Sequence, residues 1–118
     1  MEATVRIKSS LPIEATCPDC RGPLSEIAYD GLREYTCLVG HRYSPRALLQ
    51  AHSEAQEKAL WAAVVALEEA NNLIRAVASE FTDTARERLK EQAAIKREQA
   101  AEVRRILERL EPFETSVD

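Results

Sequence analysis

Four side chains near the start of the chain have the types and spacing of a metal site. Cys17-Pro18-Asp19-Cys20 and Cys37-Leu38-Val39-Gly40-His41 read as C-x2-C, a sixteen-residue spacer, then C-x3-H. Three sulfurs and one imidazole are a donor set that zinc takes in tetrahedral structural sites. A C-x2-C turn puts two sulfurs on one side of an ion and aims backbone N–H groups at them. Bound thiolates are ionised, so Cys17, Cys20, Cys37 and a neutral His41 leave a zinc site near about −1. Arg21, Arg42 and Arg46 lie close enough in sequence to offset that charge. Four protein ligands leave no open position for water or substrate, so a single structural ion is expected, not a catalytic one. Three competing readings are weaker. Unrelated buried cysteines would not normally show two knuckles. A thioredoxin-like pair wants a longer α/β domain, and iron is less suited to a set containing an imidazole. His52 reads as a surface or capping residue, and neither Asp19 nor Glu14 is needed to complete the set.

These ligands need a scaffold that returns the chain upon itself. Pro23 to Tyr29 and Leu32 to Cys37 are two short strand candidates joined by Asp30-Gly31, a pair suited to a tight hairpin turn. The turn falls near the middle of the spacer. All three cysteines, glycines and tyrosines lie between residues 14 and 44. Residues 1–13 read as a leader, with a weak edge strand over Thr4-Val5-Arg6-Ile7-Lys8 that Ser9-Ser10-Leu11-Pro12 breaks. Folding of the ribbon, residues 14–44, should coincide with metal binding, because few apolar residues support it.

From Ser44 the pattern becomes helical. Ser44-Pro45 reads as an N-cap followed by proline at the first helical position. Ser53 with Gln56 offers a second start of capping-box type, so one continuous helix and a short helix followed by a long one both fit. No glycine or proline occurs between Arg46 and Glu111. Capping residues near Phe81-Thr82-Asp83-Thr84 predict a break, giving helices at about 45–81 and 84–110 within residues 45–111. A tail follows over 112–118. Leu60, Val64, Leu67, Asn71, Ile74, Ala78 and Phe81 alternate steps of four and three, as do Leu89, Ala93, Lys96, Ala100, Val103, Leu107 and Leu110. Such heptad seams predict coiled-coil-like packing of two antiparallel helices. Folding back near residue 83 sets Asn71 beside Lys96. Either these form a register-fixing polar layer, or Lys96 snorkels to water. Trp61 and Val65 form a second apolar stripe, suited to packing on the ribbon or to an intermolecular surface. The fold class predicted is α+β: a small zinc ribbon, meaning a β-hairpin with two knuckles, followed by a long helical hairpin.

Composition narrows the function classes. The net charge is −4, and the deficit lies entirely beyond residue 52. An acidic chain is a poor general phosphate binder. No apolar run is long enough to span a membrane. The Met-Glu-Ala-Thr-Val start lacks a secretory pattern, so cytoplasmic residence is expected. No G-x-S-x-G or glycine-rich phosphate loop is present, and a non-enzyme is expected.

Several of these residues resemble a known segment. Cys17-Pro-Asp-Cys20-Arg-Gly-Pro-Leu, Tyr35-Thr-Cys37-Leu-Val-Gly-His41-Arg-Tyr-Ser-Pro45, Leu48-Leu49 and Glu57-Lys-Ala-Leu60-Trp61-Ala-Ala resemble an extension that follows the catalytic domain in some bacterial chemotaxis-type protein-glutamate methylesterases (CheB-like proteins). The resemblance covers about residues 15–80 and implies a zinc ribbon followed by helices in a bacterial cytoplasmic setting. That family's catalytic Ser/His/Asp residues have no counterpart here, so none is carried over.

Three functions compete. The first is an interaction module that docks its helices or ribbon on a protein partner or on a second copy. The second is a nucleic-acid-binding ribbon using Arg33, Tyr35, Arg42, Tyr43 and Arg46. The third is a regulator of a methylesterase-like enzyme, resting on the resemblance alone. The first is preferred.

Overall fold

A computed structural model describes residues 9–113. Four antiparallel strands come first: β1 (Ser9–Thr16), β2 (Pro23–Tyr29), β3 (Leu32–Cys37) and β4 (Arg42–Tyr43), in spatial order β1-β2-β3-β4. Two helices follow, α1 (Pro45–Val77) and α2 (Asp83–Glu108), separated by a short 3-10 turn at Ala78–Glu80. This is the α+β arrangement of a strand hairpin and a helical hairpin. The chain packs as two units, one of them Gln56–Glu111 and the other the residues before it together with those from Pro112.

The β2–β3 hairpin has the two-residue loop that its sequence specifies. Tyr29 pairs with Leu32, while Asp30 and Gly31 have φ of 46° and 77°. Two successive positive φ values are the type I′ requirement, and their twist matches that of the strands. β1 corrects the reading of Ser9 to Pro12 as a strand breaker. These residues pair with Ala28 back to Ser25, with an irregularity between Pro12 and Thr16. Proline, which has no N–H to give, is tolerated because β1 is an edge strand. The edge strand expected over Thr4 to Lys8 lies outside the described residues.

The sheet's core is small. Cys17, Leu24 and Cys37 are buried together, with Ile13, Ala15, Tyr43 and Leu48 packed partly against them. Burying a side chain such as Leu24 stabilises by about 1.5–3 kcal/mol, and the cluster contains few such residues.

Ser44 caps α1 as expected: its Oγ accepts the Ala47 N–H at 3.1 Å. Of the two alternatives for the first helix, the continuous one is found. Ser53 starts no helix; its Oγ accepts the Phe113 N–H at 3.1 Å. The predicted extent to residue 81 is corrected, because α-helical geometry stops at Val77 and tightens into the 3-10 turn. Arg86 holds that break closed. Its guanidinium donates to the Ala78 carbonyl at 3.4 Å and the Phe81 carbonyl at 3.2 Å, and lies 3.5 Å from Asp83. The Ala78 carbonyl, which already accepts the Phe81 N–H at 3.1 Å, and the Phe81 carbonyl thereby each gain a donor at the helix end.

Within Gln56–Glu111, Val64, Asn71, Ala78, Ala93 and Ala100 are the buried residues, and all five belong to the predicted seams. Asn71 opposes Ala93, Ala78 opposes Arg86, and Trp61 opposes Arg104, so each step along α1 is answered by a reverse step along α2. Of the two alternatives for Asn71 and Lys96, the layer is not found: no bond joins them among the described residues. The Asn71 amide donates to the Ala93 carbonyl at 2.7 Å, which satisfies the one buried polar side chain of the hairpin.

Candidate metal centre

Two turns of similar construction present the donors. In the first, Arg21 donates its N–H to the Cys17 carbonyl at 2.8 Å, and Cys17 donates to the Gly22 carbonyl at 2.7 Å. Arg21 adopts a left-handed φ of 64° to make that turn. In the second, Gly40 donates to the Cys37 carbonyl at 3.1 Å and Cys37 to the His41 carbonyl at 3.2 Å. Gly40 has φ of 100° there, a conformation that a side chain would strain. Each turn aims an amide at a sulfur: Gly22 N–H at Cys20 Sγ and His41 N–H at Cys37 Sγ, both at 3.4 Å.

The ligand atoms of Cys17, Cys20, Cys37 and His41 all lie within 4.8 Å of one another. Cys20 and Cys37 sulfurs are 3.6 Å apart. His41 Nδ1 stands 3.5 Å from Cys17 Sγ and 3.2 Å from Cys37 Sγ. In a tetrahedron with bonds of about 2.3 Å to sulfur and 2.0–2.1 Å to nitrogen, edges measure roughly 3.6–3.8 Å. The three distances are therefore near the edges of a four-coordinate cage, and the donor set fits a metal ion. His52 lies outside the cluster, its ring 6.3 Å from that of Phe113.

The electrostatics favour a cation. Burial opposes ionisation of Cys17, but the Tyr43 hydroxyl and the Cys20 and Asp19 amides outweigh it and hold the thiol below its ordinary range. Burial likewise opposes ionisation of Cys37, yet the His41 amide, the Cys20 thiol and the Val39 and Gly40 amides bring it down to about 7. At Cys20 the Gly22 amide favours the thiolate, but desolvation and the neighbouring Cys37 and Cys17 push the thiol up. Two thiols are thus held below the ordinary range and the third above it, chiefly through desolvation and its hydrogen bonds with the other two. A metal ion held by the cluster would favour the thiolate form of all three.

Tyr43, which the sequence offers to a nucleic-acid-binding face, takes a place beside the donors instead. Its hydroxyl lies 3.3 Å from Cys17 Sγ and donates to Asp19 Oδ2. Burial first, then the Asp19 and Cys17 acceptors, raise its phenol well above the ordinary value, so it stays protonated as a donor. Arg42, expected to offset the site's charge, instead lies 3.6 Å from Glu34.

The predicted interaction residues lie on α1. Trp61 is 44% exposed and Val65 50%. The Arg104 guanidinium sits 5.5 Å from the Trp61 ring centroid and 2.9 Å from Glu68. No helix among the described residues is long and apolar enough to cross a membrane. No protein-family model, curated protein or solved structure matches this chain.

Proposed function

We propose that the chain is a non-catalytic interaction module whose ribbon is organised by one structural zinc ion. The observation that carries this is the convergence of three sulfurs and an imidazole nitrogen within 4.8 Å. Zinc suits the set best, because it combines thiolate and imidazole in tetrahedral sites and brings no redox chemistry. With four protein ligands the ion has no vacant position, so its work is to fold residues 14–44 and not to activate water. The helical hairpin then serves a protein partner or a second copy through coiled-coil-like packing. Trp61, Val65, Leu73 and Val77 support this reading, because all four keep about half or more of their surface in solvent, Trp61 with the Arg104 side chain over its ring, on a unit with a thin core.

The basic and aromatic face suggested for nucleic acid is already spent on acids. Arg33 lies 3.7 Å from Glu26, Arg42 lies 3.6 Å from Glu34, Tyr35 donates to Glu26 and Tyr43 to Asp19. The resemblance of Tyr35 to Pro45 and Leu60 to Ala63 to the methylesterase extension supports a bacterial cytoplasmic, chemosensory-type context. Metal analysis of the purified full chain tests the core of this reading. One zinc per chain is expected, and Cys37→Ser should lose it. A wild-type chain purified without chelator and carrying neither zinc nor another first-row metal would overturn it.

A further inference from the structure

The row Trp61, Glu68, Arg75 on α1 and the row Lys90, Arg97, Arg104 on α2 each repeat every seven residues, so each row keeps to one face of its helix. At one end the rows are closed by Arg104, which pairs with Glu68 at 2.9 Å and covers Trp61. Beyond that closure lies a groove of about 430 Å³, rimmed by Arg75, Lys90 and Arg97 and floored by Asn71 and the alanines 78, 93 and 94. No carboxylate lines it.

Composition does not explain this charge, because residues 56–111 hold ten basic and eleven acidic side chains. Elsewhere on the hairpin Arg86 pairs with Asp83 at 3.5 Å and Arg105 with Glu98 at 3.9 Å, while Lys58, Arg88, Lys96 and Arg109 have no ion pair among the described residues but line no groove with Arg75 and Arg97. Lys90 lies 3.7 Å from Glu87, while neither Arg75 nor Arg97 has an ion pair among the described residues. Arg75 has a local reason to be basic, being in the last turn of α1, where the helix dipole favours a cation. Arg97 is well inside α2 and has none.

Size then selects the occupant. Seven residues of helix separate Lys90 from Arg97, about 10.5 Å along the axis, which is too far for one carboxylate or phosphate to bridge. A helix bearing glutamates seven residues apart repeats that spacing, and an alanine floor lets its backbone come close. We propose that this groove docks an acidic amphipathic helix of a partner protein, its carboxylates meeting Arg75, Lys90 and Arg97 and its small apolar residues resting on the alanines. Nucleic acid fits less well, because the chain carries −4 overall and no aromatic side chain lines the groove for base stacking. The proposal deepens the interaction reading above, but it does not depend on the metal.

The test uses the full chain and a fluorescein-labelled amphipathic peptide of glutamate, alanine and leucine, with glutamates at seven-residue spacing, read by anisotropy at low ionic strength. Saturable, salt-sensitive binding is expected, with a loss of at least roughly tenfold in the R75E/R97E double variant, because like charges would then face each other. R88E/R105E makes the same change of net charge elsewhere and should bind as the wild type does. Equal losses in both double variants, no binding by the wild type, or tighter binding of a thymidine oligonucleotide than of the peptide would each overturn the proposal. Zinc content measured on the same samples separates the two claims: a metal-free chain that still binds the peptide defeats only the zinc reading.

Discussion

The ribbon and the helical hairpin solve the same problem, a small core, by opposite means. The ribbon concentrates its stability in a few atoms. It holds every glycine of the chain, every described residue of positive φ, and a cluster in which two of the three cysteines are buried. The hairpin has no glycine or interior proline and spreads its stability over a periodic seam of which Val64 is the largest fully buried member. Point chemistry specifies one region and repetition the other. The first should fail abruptly, when a single ligand is lost, and the second by increments.

The largest contrast should come from removing the proposed zinc ion. Structural zinc contributes about 10–16 kcal/mol to the folding of small ribbons, so chelation or Cys37→Ser should abolish amide protection in β2 and β3. The helical circular dichroism should survive in large part; its collapse in step with the strands would mean that the regions do not differ as described. Acid should act in the same direction. Cys17 and Cys37 have lowered thiol pKa values, Cys37 at about 7, against about 8.5 for a free thiol. A depressed acid contributes stability that is full above the unfolded value and is lost as pH falls through the folded one. Metal affinity, followed by chelator competition, should therefore weaken steadily below about pH 7.

Next in size is Val64→Ala, which leaves the centre of the seam underfilled and should cost about 2 kcal/mol in helical unfolding with metal stoichiometry unchanged. Tyr43→Phe removes the hydroxyl beside Cys17 and should lower metal affinity by roughly tenfold, sparing the helices. Smallest is Arg104→Ala, at about 0.5–1 kcal/mol, because both its Trp61 and Glu68 contacts are partly exposed. A large effect there would show that the hairpin also has a focal point.

How well each region could be read follows from the same contrast. The donors, the β2 and β3 limits and the Asp30-Gly31 turn were legible because each depends on neighbours in sequence. So were Ser44 as a cap and the break between the helices. β1 was not, because the propensity of Ser9, Ser10 and Pro12 opposes a strand, and only pairing with β2 overrides it. Ser53 met the local rule for a helix start, yet the helix runs through it, and its hydroxyl is used by Phe113, distant in sequence. Periodicity placed Asn71 in the seam but could not name its partner, a main-chain carbonyl that carries no sequence signal. Tyr43 shows the same limit, since a phenol two residues past a ligand gains its role only when Cys17 and Asp19 are folded against it.

The most direct measurement is a cobalt(II) titration of the metal-free full chain, followed by visible and near-ultraviolet absorption. The account predicts intense d–d bands of a tetrahedral ion and thiolate-to-cobalt charge transfer, saturating at one ion per chain and displaced by zinc. Weak octahedral bands without thiolate charge transfer, or saturation only at one ion per two chains, would contradict it.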